Sequence, residues 1–153
     1  MKPGTTSDQL LSLTDVMSTV AAIVGAKLPS DAAEDSFNVL PALLGEADKP
    51  IRPYLLQQAF GGARWLSIRR GPWKFLDHTG SGGDNYETPA LKPFALKDTA
   101  PTAPGQLYDL SQDPGETTNL YFKHPEIVKE LKALLDESRK SGRSRPNSLQ
   151  SQP

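Results

Sequence analysis

The spacing of apolar residues changes twice along this chain, and those changes restrict it to one class of fold. From Leu13 to Val24 the spacing is helical: Leu13, Val16, Met17, Val20, Ile23 and Val24 fall on one stripe. Beyond Asp48-Lys49-Pro50 it becomes strand-like, in short segments rich in aromatic and branched residues. These are Tyr54 to Phe60, Arg64 to Arg70 and Trp73 to Leu76, separated by Gly61-Gly62 and Gly71-Pro72 as antiparallel hairpins require. Gln106 to Leu110 reads as another strand. Helical spacing returns from Pro125 to Ser141, where Ile127, Val128, Leu131, Leu134 and Leu135 form a stripe that must cover something, most simply a face of the sheet. The predicted class is α+β: a small antiparallel sheet of three to four strands packed by a C-terminal helix, preceded by N-terminal helices.

End signals support these elements. Ser12 or Thr14 is the candidate cap of the first helix, predicted over Thr14–Val24, and Gly25 suits a left-handed stop. A shorter helix is predicted over Val39–Leu44, capped by Asn38, with Pro41 in its first turn and Gly45 at its end. In the last helix Glu126 complements the positive end of the dipole, and Arg139 and Lys140 the negative end. Residues 77–105 read as a long loop, Asp113-Pro114-Gly115-Glu116 as a tight turn, and the chain beyond Gly142 as disordered.

Composition removes several functions. Lys and Arg number 17 against 18 Asp and Glu, a net charge of -1, so no overall field draws the chain to nucleic acid. The absence of cysteine rules out disulfides, thiolate zinc sites and cysteine nucleophiles. No apolar run approaches the roughly 20 residues of a membrane span. Residues 1–7 lack the apolar region of a signal peptide, and the sequence leaves localisation open.

Few residues suggest chemistry. His78 opens a Gly-rich loop and is a candidate for proton transfer or a cleft rim; His124 precedes Pro125, where it suits a helix cap. Gly80-Ser81-Gly82-Gly83-Asp84-Asn85 lacks the helix and Lys-Ser/Thr of a phosphate-binding loop and reads as a linker. Asp109, Asp113 and Glu116 lack the alternation and central glycine of a calcium loop. Arg69, Arg70, Trp73 and Lys74 form a basic, aromatic cluster that would suit an anion. Its structural alternative puts Trp73 in the core and pairs Lys74 and Arg69 with carboxylates. Arg143 and Arg145 read as part of a solvated tail.

Four segments in order resemble the C-terminal part of the sulfatase family. They are Leu13-Thr14-Asp15 through Gly25 and Leu28-Pro29; Asp35 through Gly45; Ser67-Ile68-Arg69-Arg70-Gly71-Pro72-Trp73-Lys74-Phe75; and Gln106-Leu107-Tyr108-Asp109-Leu110 through Asp113-Pro114, Glu116 and Asn119-Leu120. The resemblance implies that residues 1–50 are two helices left from a missing α/β catalytic domain. It makes residues 51–146 the C-terminal subdomain and 147–153 a disordered tail. The family cleaves sulfate esters with a formylglycine, made in a Cys/Ser-x-Pro-x-Arg motif, and a calcium-type ion. Neither that motif nor the paired Asp-Asp metal motif occurs here; Pro146 follows Ser144 and Arg145 in an order that does not give the signal. No catalytic or metal residue carries over, and no cofactor is expected in this chain.

The expectation is therefore a part that supports a sulfatase catalytic domain and its cleft without hydrolysing sulfate esters alone. Candidate cleft-rim or anion-binding residues are His78, Arg69, Trp73 and Lys74. Expected partners are the missing catalytic domain, or a second copy through the Thr14–Val24 helix, and a sulfated carbohydrate. Family members are often periplasmic, secreted or lysosomal. The alternative is a free-standing binding module for a sulfated glycan or a protein.

Overall fold

The structure is a computed structural model and describes residues 3–59, 65–80 and 89–146. The chain divides into two compact units, Met1–Leu55 with Ser138–Pro153, and Leu56–Glu137.

In the first unit, a single 3-10 turn at Leu13–Asp15 leads into helix α1, Val16–Ile23. Ser12 is the cap: its hydroxyl accepts from Thr14 N at 3.3 Å, and its own N–H donates to the Asp15 carboxylate at 2.8 Å. Gly25, at φ 70°, ends the helix, and Ala26 N closes back onto Ala21 O at 2.8 Å. Helix α2, Leu40–Leu44, starts where Leu40 N donates to Asn38 Oδ1 at 3.0 Å.

Burial on α1 runs opposite to the usual sense. Asp15 and the helix residues Ser18, Thr19 and Ala21 are buried, while Val16, Met17, Val20, Ile23 and Val24 are exposed. The inward side is held by polar bonds. Ser18 exchanges two with Ser36, each 2.9 Å, and Thr19 Oγ1 donates to Asp15 O and accepts from Val39 N. Asp15 accepts from Phe37 N at 2.9 Å and pairs with Arg52 Nη2 at 2.9 Å, both side chains only 1% exposed. Arg52 also donates to Asp35 O at 2.8 Å and lies 4.7 Å from the Phe37 ring centroid.

Residues 143–146 depart from the expected disorder. Arg143 Nη2 donates to Ser30 O at 2.8 Å, and Arg145 donates from its backbone to Glu34 O and from its side chain to Ala32 O. Ser144 donates from its N–H and its hydroxyl to Asp35 Oδ1 at 2.8 and 2.7 Å. The physical reason is local: the turn at residues 30–36 presents carbonyls that no helix or strand uses, and guanidinium groups reach them. The tail expected at 147–153 lies outside the described residues.

The second unit holds a four-stranded sheet in the order β1-β2-β3-β4. The strands are β1 Leu55–Gln58, β2 Leu66–Arg70, β3 Trp73–Leu76 and β4 Gln106–Asp109, with β2–β3 and β3–β4 antiparallel. The outer ends of the first two predicted strands, Phe60 and Arg64, lie outside the described residues, as does the Gly-rich stretch from Ser81 to Asn85. Helix α3, Pro125–Ser141, turns Val128, Leu131 and Leu135 inward. Two ion pairs show that it covers the sheet: Arg70 to Glu130 at 2.6 Å and Lys132 to Asp77 at 3.7 Å. Under it lie Ile68, Phe75 and Leu107, paired across the strands and at most 1% exposed. Gly105 has no room for a side chain, since a Cβ there would meet Leu76 O at 3.0 Å. Among the described residues no helix is long and apolar enough to cross a membrane.

Candidate functional site

Side chains alternate across a strand, so the register sorts the candidate residues onto two faces. Arg70 and Trp73 share the helix-covered face with Ile68 and Phe75. Lys74, directly opposite Arg69 on one side and Tyr108 on the other, shares the second face with them and with Leu76 and Gln106. Counting outward from the Gly71-Pro72 turn puts Trp65 opposite His78 on that second face, and the two rings stack at 4.4 Å with 18° between planes. The structure thus brings Arg69, Lys74 and His78 to one side and puts Trp73 on the other. There Trp73 meets His124, ring centroids 5.1 Å apart.

The charges on the second face are unequal. Lys74 Nζ pairs with Glu116 Oε1 at 2.5 Å, and both side chains are largely buried. Arg69 donates from Nε to Gly71 O at 3.2 Å, and among the described residues no carboxylate pairs with it. On the helix-covered face Arg70 does have a carboxylate partner, and its hydrogen bond to Glu130 holds that carboxyl below its ordinary value of 4.5. His78 Nδ1 lies 2.8 Å from Thr79 O and 3.3 Å from Gln106 Nε2. Gln106 Nε2 donates to His78 O at 3.1 Å, and its Oε1 accepts from Tyr108 OH at 2.8 Å. Trp65 and Gln106 were not singled out from the sequence; the register of the Gly71-Pro72 hairpin places Trp65, whereas Gln106 is placed by the pairing of β4 with β3.

The three carboxylates of the supposed calcium loop have separate tasks. Asp109 Oδ1 accepts from Ser111 N and Oγ, and Glu116 pairs with Lys74. Asp113 accepts from Thr117 N, Thr117 Oγ1 and Thr118 N; burial raises its pKa, but these bonds outweigh it and hold the carboxyl below 3.8. His124 sits at the start of α3 as a backbone cap, its carbonyl accepting from Ile127 N and Val128 N at 3.1 Å. Among the described residues no three His, Asp or Glu side chains are placed to share a metal ion.

No family model matches the chain. It is 36% identical over 127 residues to an N-acetylgalactosamine-6-O-sulfatase of Bacteroides thetaiotaomicron, covering 83% of this chain and 23% of that protein. It is 32% identical over 140 residues to arylsulfatase A of Homo sapiens, covering 86% of this chain and 27% of that protein. A solved Bacteroides thetaiotaomicron structure described under the metabolism of multiple glycosaminoglycans superposes with a TM-score of 0.61 at 34% identity, over 82% of this chain and 24% of its own. A solved 2-O glycosaminoglycan sulfatase superposes with a TM-score of 0.56 at 25% identity, over 83% and 24%. The chain belongs to the sulfatase family, and it spans about a quarter of the length of the relatives it matches.

Proposed function

We propose that this chain is the C-terminal part of a sulfuric ester hydrolase, that it buttresses the catalytic part and shapes the edge of its cleft, and that it does not cleave sulfate esters alone. The observation behind this reading is how the family-like residues are used. Asp15 is locked to Arg52, Ile68 and Leu107 fill the core, Lys74 holds Glu116, and Asn119 ties β4 to its neighbours. Each does architectural work.

The residues present do not fit the family's formylglycine or its calcium-type ion. The sequence has no cysteine, and Asp109, Asp113 and Glu116 do not converge. Attack on sulfur needs a nucleophile and an electrophilic cation together, which the rest of a sulfatase would supply. The purified chain, incubated with an aryl sulfate and calcium, is expected to release no sulfate above buffer; measurable turnover would overturn the reading.

Within this role the cleft edge falls to the face carrying Arg69, Lys74 and His78. Arg69 has no carboxylate partner among the described residues, and a guanidinium binds sulfate through paired N–H groups. Arg69→Ala should weaken binding of a sulfated oligosaccharide several-fold at low salt while leaving the thermal midpoint unchanged. Unaltered binding would remove this face from the proposal.

A further inference from the structure

The loop at residues 30–36 holds a backbone conformation that its own residues do not favour. Ala33 sits at φ 55°, in the left-handed region where a Cβ is crowded, and such a residue persists only where its surroundings impose it. Inside the loop, Ala32 N bonds to Pro29 O at 3.3 Å and Ser36 N to Ala33 O at 2.9 Å. Further constraint arrives from two opposite directions.

One is the polar side of α1. Ser36 exchanges bonds with Ser18, Phe37 N donates to Asp15, and the Asp35 carbonyl accepts from Arg52 Nη2 at 2.8 Å and Thr14 Oγ1 at 3.4 Å. The other is the segment 143–145. Arg143 donates to Ser30 O, Arg145 to Ala32 O and Glu34 O, and Ser144 twice to the Asp35 carboxylate. Asp35 is the residue the two sets share: its side chain faces the late segment and its carbonyl faces Arg52. A shift of Asp35 that breaks one set therefore disturbs the other.

The joint is polar throughout. Residues 30–36 are Ser, Asp, Ala, Ala, Glu, Asp and Ser, and residues 142–145 are Gly, Arg, Ser and Arg, so neither segment brings a large apolar side chain to it. Hydrogen bonds that water can replace give little net stability, and elements held by them alone open more readily than a packed core. Gly142, at φ 70°, turns the chain off the end of α3, and a Cβ there would touch nothing, so the bend is not wedged by packing.

We propose that residues 143–145 are a releasable strap, hinged at Gly142, whose seating on Asp35 keeps the strained loop docked on the polar side of α1. Lifting the strap loosens the Ser18–Ser36 and Asp15–Phe37 contacts without unfolding the sheet unit. This device is independent of the sulfatase reading, which the turnover assay tests separately.

Residue-resolved hydrogen exchange on the full chain tests it. Ser144→Asp sets a second carboxylate against Asp35 and should lift the strap. The Ser18 and Phe37 amides, which bond across the loop joint, should then exchange at least about tenfold faster. The Leu107 amide, bonded to Asn119 in the sheet unit, should keep its native rate. Ser144→Ala, which retains the backbone bond to Asp35, should fall between. Ser144→Asp combined with Asp35→Asn again sets a donor against an acceptor and should bring Ser18 and Phe37 back most of the way to native exchange. Three results would each overturn the proposal: native rates at Ser18 and Phe37 in Ser144→Asp, an equal acceleration at Leu107, or no recovery in the double variant.

Discussion

Asp15→Asn is expected to lower the stability of the first unit by about 3–5 kcal/mol, the range for breaking one side of a buried ion pair. The substitution leaves the Arg52 guanidinium, in a residue 2% exposed, without a counter-charge. It also sets an amide where the carboxylate accepts from Ser12 N, Phe37 N and Arg52 Nη2. At least one of those donors then faces another donor. The loss should be read as a shift in chemical denaturation and as faster hydrogen exchange at the Ser18 and Val39 amides, which bond the loop to α1. A companion variant, Asp15→Leu with Arg52→Met, removes both charges and should recover most of the stability, since apolar replacement of a whole buried pair is often neutral. A single-site effect under about 1 kcal/mol would show that the pair is not what fastens the loop.

Asn119→Ala carries the second large effect, in the other unit. Asn119 Oδ1 accepts from Leu107 N and Tyr121 N, each at 3.0 Å, and Nδ2 donates to Gly105 O at 3.2 Å. Asn119 is itself buried, and water has little access to these peptide groups. Each unsatisfied buried group costs about 1–3 kcal/mol, so their combined loss should reach about 3 kcal/mol or more. Asn119→Asp should fall between, keeping the two accepting bonds but turning a carboxylate oxygen toward Gly105 O. Thermal unfolding of the three proteins should order them native, Asp, Ala. Equal stability of the alanine variant and the native chain would refute the assignment of β4's anchorage to this side chain.

These two residues also mark where sequence reasoning stops. The α+β class, the predicted strand at Trp73–Leu76 and the last helix at Pro125–Ser141 all appear in the structure, because period and caps are local signals. Gly45 ends α2 for the same reason, whereas its cap position is Val39, one residue beyond Asn38, whose Oδ1 accepts from Leu40 N. Asp15 and Arg52 are 37 residues apart and no periodic pattern joins them. The apolar stripe of α1 was plain, but a stripe says only which side wants cover, not whether the chain contains the cover. Grouping Trp73 with Arg69 and Lys74 ignored the alternation of strand side chains, which was available in the sequence and puts the indole on the opposite face. The docking of residues 143–146 was not available: it depends on carbonyls freed by the path of a turn more than a hundred residues earlier.

That last feature governs the order in which the chain can mature. The first unit is discontinuous, and its loop at residues 30–36 is fastened by Arg143, Ser144 and Arg145, across separations of 109 and 113 residues. During synthesis Ser36 and Arg52 emerge well before residues 143–145, so the clamp on Asp35 cannot close until more than a hundred further residues have been made. The sheet unit, whose residues are contiguous, can fold first and on its own timetable. Until the late segment returns, the loop at residues 30–36 is held only by its bonds to α1 and Arg52.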